Sequence, residues 1–159
     1  MNNSKTQSKK LMLFYDKSKC TNCRLCELVC SFKHYGVFEF EKSCIKNLFS
    51  FGKNETEVAH CFHCDVALCM DSCPTGAIYR NERGYVLINP MKCIGCKNCI
   101  SACPLGVIWF HEREGVAKKC DFCEGMLNCA DYCPTGALTV VPREEYKKRV
   151  LEIYGFGGD

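Results

Sequence analysis

This 159-residue sequence lacks a long apolar run, since no segment approaches the roughly 18 consecutive apolar residues of a membrane-spanning helix. Its first residues, MNNSKTQSKKLMLFYD, contain lysines but neither the apolar segment of a signal peptide nor a twin-arginine pair. These absences predict a cytoplasmic protein without a direct membrane span.

The sequence also lacks the patterns of an enzyme that makes or breaks covalent bonds. It contains no nucleophile with a recognisable base, no phosphate-binding glycine loop and no prominent pair of carboxylates. Its formal net charge of +3 is too small to indicate nucleic-acid binding. We therefore predict a non-catalytic chain that does not bind nucleic acid.

Cysteine is abundant instead, with 17 of the 159 residues. Such a share is typical of a small scaffold that disulfides or metal ions hold together. Disulfides are rare in a reducing cytoplasm, where clustered thiols usually bind metal. An odd number of cysteines also argues against a complete set of disulfides. The composition therefore favours metal.

Sixteen of the cysteines fall into four groups, and only Cys44 stands apart. The groups are Cys20, Cys23, Cys26 and Cys30; Cys61, Cys64, Cys69 and Cys73; Cys93, Cys96, Cys99 and Cys103; and Cys120, Cys123, Cys129 and Cys133. The last three groups end in CPTGAIY, CPLGVIW and CPTGALT, and their final cysteines are 30 residues apart. This repeat predicts a ligand loop, a short helix ended by Cys-Pro, a glycine turn and a short strand in each unit.

Short hairpins and a C-terminal helix complete the predicted secondary structure. The candidate strands are Ala77–Arg80, Tyr85–Ile88, Val107–Phe110 and Leu138–Val141, with turns at NERG and EREG. Pro142 favours the start of a helix, and Gly155 favours its end. The apolar stripe of this helix consists of Tyr146, Val150, Ile153 and Tyr154. It packs either on its own domain or against a partner or a second copy of the chain.

The spacing C-x2-C-x2-C-x3-C-P at Cys93–Pro104 is the bacterial ferredoxin motif for [4Fe–4S] clusters. Its first three cysteines reach three corners of one cube, and the fourth ligates the neighbouring cluster. Zinc is the alternative, because zinc ribbons also use C-x2-C pairs. Four cysteines within eleven residues make poor zinc geometry, however, so the spacing favours iron–sulfur clusters.

The four groups, with CxxCxxxxCxxxCPTGAI second and CDxCxxxxxCxxxCPTGAL last, resemble the four-cluster electron-transfer subunits of the dimethyl sulfoxide reductase iron–sulfur subunit family. The resemblance covers about Leu11 to Pro142. It implies an α+β fold of two interleaved bacterial-ferredoxin-like units, each with two [4Fe–4S] clusters, short hairpins and helices, plus a C-terminal helix. The implied segments are a flexible N-terminus (1–10), the polyferredoxin domain (11–142, with an inner unit 58–110 and an outer unit 11–57 with 111–142), and the C-terminal helix and tail (143–159).

In this family the groups exchange their last cysteines in pairs, which implies four ligand sets here. The sets are Cys20, Cys23, Cys26 and Cys133 for cluster A; Cys30, Cys120, Cys123 and Cys129 for cluster B; Cys61, Cys64, Cys69 and Cys103 for cluster C; and Cys73, Cys93, Cys96 and Cys99 for cluster D. Four such clusters would pass single electrons along a row, while the protein sets their spacing and potentials.

Within this family, the sequence resembles the compact members, which are the small subunits of tungsten aldehyde oxidoreductases, formate dehydrogenases and hydrogenases. The segment CTNCRLCELVCSFKHYGVF resembles those of the tungsten aldehyde oxidoreductases most. This implies a large catalytic partner with a tungstopterin or molybdopterin, and a flavin subunit, a ferredoxin or a hydrogenase as redox partner. The alternatives are a subunit of a formate dehydrogenase or hydrogenase complex, a free polyferredoxin carrier, and a structural or regulatory cluster protein. Self-assembly through the C-terminal helix is a further hypothesis.

Several residues near the ligands allow two interpretations. Cys44 is either an extra ligand or a small buried residue, and we favour the latter because sixteen cysteines already complete four sets. His60 and His63 either couple a proton to cluster C or replace a ligand, or they are hydrogen-bonded loop residues, which we favour. Lys118 and Lys119 precede Cys120 and either favour the reduced form of cluster B or are solvated loop charges.

Overall fold

A computed structural model of the chain describes residues 10–126 and 128–154. Within these residues the strands are β1 (Leu11–Tyr15), β2 (Lys46–Ser50), β3 (Glu55–Ala59), β4 (Ile78–Arg80), β5 (Val86–Ile88), β6 (Trp109–His111), β7 (Val116–Lys118) and β8 (Leu138–Pro142). The α-helices are α1 (Leu25–Tyr35), α2 (Leu68–Asp71), α3 (Asn98–Ala102), α4 (Asn128–Asp131) and α5 (Arg143–Tyr154), with 3₁₀-helices at Phe40–Lys42 and Phe122–Gly125. The predicted mixture of helices and strands is confirmed.

The predictions for the two ends of the chain fall mostly on residues outside the described ranges. The flexible N-terminus lies outside the described residues except for Lys10, which is buried. Gly155, the predicted end of the last helix, and the FGGD tail also lie outside them. In residues 10–126 and 128–154, no helix is long and apolar enough to cross a membrane.

The described strands form two-stranded antiparallel sheets, and one sheet joins the two ends of the chain. β1 pairs with β8, from Leu11 opposite Pro142 to Tyr15 opposite Leu138. The other pairs are β2 with β3, β4 with β5, and β6 with β7. The first cysteine group follows β1 and the last group precedes β8, so this pairing brings the first and last groups to the same end of the molecule.

The predicted hairpins are present with shifted bounds. β4 and β5 flank the NERG turn, and β6 and β7 flank the EREG turn. β6 begins two residues later than predicted, because Val107 and Ile108 are buried before the paired ladder starts. The pattern did not predict β1, β2, β3 or β7, which are short and lack a clear alternation of apolar and polar residues.

The threefold repeat appears as three similar turns. α2, α3 and α4 each carry the third cysteine of their group and end before the fourth. After the fourth cysteine, the N–H groups of Gly76, Gly106 and Gly136 donate to the carbonyls of Cys73, Cys103 and Cys133 at 3.4, 3.2 and 3.2 Å. The Cys-Pro-x-Gly sequence thus forms one recurring structure.

Cysteines belong to both apolar cores of the described residues or pack against them. The first core includes Leu13, Ile45, Val58, Tyr85, Phe122, Leu138, Cys26, Cys30, Cys44 and Cys129. The second includes Ala67, Ile78, Val86, Ile108, Ala117 and Cys99. Each core therefore contains or borders cysteines that the sequence predicts as ligands.

The C-terminal helix packs on its own domain through its first half. Tyr146 meets Phe14 edge to face, with ring centroids 5.8 Å apart, and Phe62 at 6.1 Å. This supports the first of the two predicted roles of its apolar stripe. Leu151 and Ile153 further along are 54% and 38% exposed, and self-assembly through this helix stays a prediction.

The start of this helix is tied to the second cysteine group. The Arg143 guanidinium donates to the Asp65 carboxylate, with one contact of 2.8 Å. The N–H of Arg143 donates to the carbonyl of Lys10 at 3.0 Å. The helix therefore follows directly from β8 and is held against the loop that contains Cys61 and Cys64.

Candidate iron–sulfur sites

None of the seventeen cysteines forms a disulfide. Among the sixteen predicted ligands only Cys23 and Cys96 are exposed, and the others are buried or half-buried. The ligand loops reach unusual backbone conformations, because Asn22, His63 and Lys97 all have positive φ angles between 47° and 63°. These left-handed residues let the short ligand loops curl.

The second and third groups meet around Cys99. Burial raises the pKa of the Cys99 thiol to about 11, and negative charge on Cys93, Cys69, Cys73 and Cys96 adds to the effect. Cys73, the last cysteine of the second group, therefore lies among thiols of the third group.

A cysteine of the third group likewise influences Cys64 of the second group. Burial raises the pKa of the Cys64 thiol, and negative charge on Cys61 and Cys103 raises it further. Burial also raises the pKa of Cys69, with Cys61 and Cys103 again adding to the effect while the charge of Lys119 opposes it. Cys103, the last cysteine of the third group, therefore lies among thiols of the second group.

The first and fourth groups meet in the same way. Burial raises the pKa of the Cys129 thiol, and negative charge on Cys120, Cys123, Cys30 and Cys26 adds to the effect. Cys30, the last cysteine of the first group, thus lies beside thiols of the fourth group.

The remaining ligands of the first group crowd around Cys26. Burial raises the pKa of the Cys26 thiol to about 12, and negative charge on Cys23 and Cys20 contributes to the rise. Cys20 and Cys133 both pack against the first apolar core. Thiols crowded in this way repel one another as thiolates, whereas iron binds thiolates and removes that cost. The donor set therefore fits iron–sulfur clusters.

Hydrogen bonds to sulfur recur in the two CPTG segments. The Thr75 hydroxyl lies 3.7 Å from Cys73 Sγ, and the Thr135 hydroxyl lies 3.8 Å from Cys133 Sγ. Burial raises the pKa of each thiol, but these hydroxyls and nearby backbone N–H groups outweigh it, so both pKa values lie below the usual range. Leu105 occupies the threonine position of the third group, so Cys103 has no such hydroxyl.

Cys44 is buried, as predicted, with 4% of its surface exposed. Its backbone N–H donates to Cys30 Sγ at 3.3 Å. A hydrogen bond from the Cys44 thiol also lowers the pKa of Cys30. Cys44 is therefore hydrogen-bonded to Cys30, which is one of the predicted ligands.

The sequence analysis missed His34. Its Nε2 lies 3.9 Å from Cys123 Sγ and 3.5 Å from Asp121 Oδ1. Hydrogen bonds to Cys123 and Cys30 raise the pKa of His34 to about 10. The spacing in the sequence could have indicated this contact, because a residue four positions after Cys30 lies on the same face of α1.

His60 and His63 are hydrogen-bonded residues, as favoured, and both are buried. The His60 ring nitrogens lie 3.1 and 3.0 Å from the carbonyls of Val58 and Leu13. The N–H of His63 donates to Cys61 Sγ at 3.3 Å. Burial lowers the pKa of His63 to about 2, and the charge of Lys119 contributes. His63 is therefore neutral near pH 7.

Comparison with known proteins agrees with this chemistry. Residues 54–143 match the family described as the 4Fe-4S dicluster domain, which is more than half of the chain, and residues 17–33 match a 4Fe-4S binding domain. This chain belongs to the 4Fe-4S dicluster domain family. As a member of this family the protein binds [4Fe–4S] clusters, and the thiols described above are their candidate ligands.

Two curated relatives bear on the resemblance noted from the sequence. The aliphatic sulfonate oxidoreductase, polyferredoxin-like subunit of Pyrococcus furiosus is 36% identical over 96 residues, covering 58% of this chain and 54% of the relative. A polypeptide of the anaerobic dimethyl sulfoxide reductase of Haemophilus influenzae is 30% identical over 101 residues, covering 53% and 47%. The names of both relatives agree with the predicted family relationship. This dicluster protein spans about half the length of the curated relatives it matches.

A solved structure shares the fold of this dicluster protein. A polypeptide of the active site complex BamBC of benzoyl coenzyme A reductase, in complex with zinc, aligns with a TM-score of 0.50 and 19% identity. The alignment covers 94% of this chain and 92% of that polypeptide. At this identity the likeness concerns the fold alone.

The third ligand loop of the dicluster protein contains a glycine that no other residue can replace without strain. Gly95 has a φ of +71°, and a Cβ at this position would lie 2.6 Å from the carbonyl oxygen of Gly115. We expect Gly95→Ala to destabilise the iron-loaded protein by more than the ~1–2 kcal/mol that a left-handed alanine costs alone. The midpoint of an anaerobic urea denaturation measures the effect.

Gly106→Ala is the matched control for this substitution. Gly106 has a similar φ of +60°, but a Cβ there would meet nothing within 4 Å. Gly106→Ala should therefore lower the unfolding midpoint only by the cost of a left-handed alanine, because its Cβ meets no neighbouring atom. Equal midpoints for the two variants would contradict the close approach of the loop to Gly115.

Proposed function

We propose that this protein is a non-catalytic electron-transfer subunit that holds four [4Fe–4S] clusters. It would relay electrons between a catalytic oxidoreductase subunit and a redox partner. The observation that carries the proposal is that the last cysteines of the first three groups lie near thiols of other groups. Cys73 lies among third-group thiols, Cys103 among second-group thiols and Cys30 among fourth-group thiols. The proposed ligand sets for clusters A, B, C and D are those implied by the family resemblance.

Electrostatic interactions between thiols of different sets support a linear order, A–B–C–D. One thiol of each set lies near a thiol of the next, close enough to raise its pKa. The pairs are Cys26 with Cys129, Cys61 with Cys120, and Cys69 with Cys99. The exposed cysteines, Cys23 and Cys96, belong to the two end clusters. Electrons would therefore enter and leave at opposite ends of the row.

The protein's own residues have three roles in this proposal. When bound, the clusters supply reversible one-electron chemistry. The cysteines fix the positions of the clusters, and buried apolar side chains such as Phe122 and Val86 keep water from the interior. Backbone N–H groups, such as those of His63, Cys44 and Leu138, donate to ligand sulfurs and stabilise added negative charge.

We also propose the domain division implied by the sequence, with inner residues 58–110 and outer residues 11–57 and 111–142. The pairing of β1 with β8 and the packing of α1 near α4 support the outer unit. The contacts between α2 and α3 support the inner unit. Clusters A and B would lie in the outer unit, and clusters C and D in the inner unit.

For the catalytic partner we propose a tungstopterin or molybdopterin aldehyde oxidoreductase. The group-one segment carries this preference, and the name of the Pyrococcus furiosus relative, a subunit of an oxidoreductase, supports a complex. The redox partner would be a flavin subunit, a ferredoxin or a hydrogenase. We place the complex in the cytoplasm.

Anaerobic purification of the native protein, with metal analysis and identification of co-purifying chains, tests this proposal. We expect about sixteen iron atoms per chain, together with tungsten or molybdenum and a large second chain. A hydrogenase or a formate-oxidising partner would shift the assignment to those complexes. Full iron content without any partner would indicate a free carrier, and zinc or far less iron would exclude the four-cluster row.

A further inference from the structure

A buried lysine lies where the proposed inner and outer units meet. Lys119 is only 5% exposed. Its Nζ donates to Cys61 Sγ at 3.3 Å, to the carbonyl of Val86, and to the carbonyl of Cys120 at 3.3 Å. Lys119 directly precedes Cys120 of the fourth cysteine group in the sequence, but the sulfur that it contacts is that of Cys61 in the second group.

The charge of Lys119 has no carboxylate partner among the ion pairs of residues 10–126 and 128–154. Its neighbour Lys118, in contrast, pairs with Glu114 at 2.9 Å near the surface. Buried charges in proteins are retained when they are paired. The sulfur in contact with Lys119 is that of Cys61, which would carry negative charge when it holds a cluster.

A second buried lysine reinforces the positive charge in this region. Lys10 is also 5% exposed, and its Nζ donates to the carbonyl of His63. His63 lies two residues after Cys61, and its own N–H donates to Cys61 Sγ. Two ammonium groups and one backbone N–H therefore surround the Cys61 side of cluster C.

We propose that Lys119 is a positioning residue for electron transfer that acts on cluster C rather than on cluster B, by donating a hydrogen bond and a positive charge to the sulfur of Cys61. Reduction would add one electron to cluster C and break no bond, with cluster B or D as the electron donor. The added negative charge is stabilised by the adjacent ammonium, so Lys119 raises the reduction potential of cluster C. This inference rests on the ligand sets proposed above.

The test is a redox titration of the full, iron-loaded chain, reduced with dithionite under anaerobic conditions and followed by electron paramagnetic resonance. In Lys119→Met, one cluster signal should need a lower potential for reduction. At a fixed ambient potential, its reduced-to-oxidised ratio should fall about tenfold, which corresponds to about 59 mV for a one-electron couple. Lys119→Arg, which keeps the charge, should restore most of the ratio.

Lys118→Met is the matched control, because it removes the same formal charge one residue away, where Lys118 pairs with Glu114. It should leave every cluster signal within about twofold of its original ratio, since the charge of Lys118 is already paired with Glu114. A separate Cys61→Ser variant identifies cluster C, because the serine ligand alters the signal of that cluster alone. The signal that shifts in Lys119→Met should be the same one.

The inference would be overturned if no signal shifts in Lys119→Met, or if Lys118→Met causes an equal shift. It would also be overturned if the shifted signal belongs to cluster B, that is, if Cys123→Ser alters this signal and Cys61→Ser does not. If Lys119→Met fails to incorporate iron, Lys119→Gln keeps a hydrogen-bond donor without the charge, and an unchanged ratio there would also overturn it. An original protein with fewer than four clusters would instead count against the proposed function, and iron analysis separates the two cases.

Discussion

Removal of iron from the purified protein under anaerobic conditions is expected to abolish its cooperative unfolding transition. Both apolar cores contain cysteines that the clusters would hold together, and the remaining apolar side chains are few. Without iron, crowded thiols such as Cys120 and Cys129 stay buried with no bonds between them. Metal binding and folding are therefore coupled in this protein.

Circular dichroism during urea titration measures this effect. The iron-loaded protein should unfold in one sharp transition, whereas the iron-free protein should show a shallow, continuous change from low urea concentrations onward. Addition of ferrous iron and sulfide should restore the sharp transition, which controls for damage during chelation. A sharp transition in the iron-free protein, at a midpoint close to that of the loaded protein, would show that the cores are sufficient alone.

Replacement of Cys133 by alanine is expected to disrupt one cluster, although the other three ligands of that cluster lie at the opposite end of the sequence. The protein should lose between about one and four iron atoms, depending on whether a three-iron fragment is retained. Iron analysis and the loss of one cluster signal measure the result.

Cys44→Ala is the matched control for this variant. It also removes a buried or half-buried thiol, but one that lies outside the proposed ligand sets. It should keep the full iron content and cost about 1 kcal/mol of stability, a typical value for a point substitution. Equal iron loss in the two variants would place Cys44 among the ligands and contradict the proposed sets.

The local structure of the repeat could be predicted from the sequence, because its cause is local. Each Cys-Pro-x-Gly segment fixes its own turn through proline, glycine and one backbone hydrogen bond. The spacing of the ligands likewise follows from the size of the cube that they surround. For these features, neighbours in sequence are also neighbours in space.

Features that depend on distant parts of the chain could not be predicted in this way. β1 is a short apolar segment whose partner, β8, begins more than a hundred residues later, and nothing in LMLFY specifies that pairing. The contacts of His34 and Lys119 were missed for the same reason. His34 contacts Cys123 and Lys119 contacts Cys61, and each contact depends on how the units pack.

The pairing of β1 with β8 has a consequence for biosynthesis. While the chain is made on the ribosome, β1 stays without its partner until Leu138–Pro142 has been synthesised. The proposed ligands of the inner clusters, from Cys61 to Cys103, are all complete before Cys120 is made. Iron can therefore be inserted into the middle of the chain first, while the loop with Cys20 and Cys23 waits for the last segment. A truncated, nascent or prematurely terminated chain would expose that loop with its thiols unprotected.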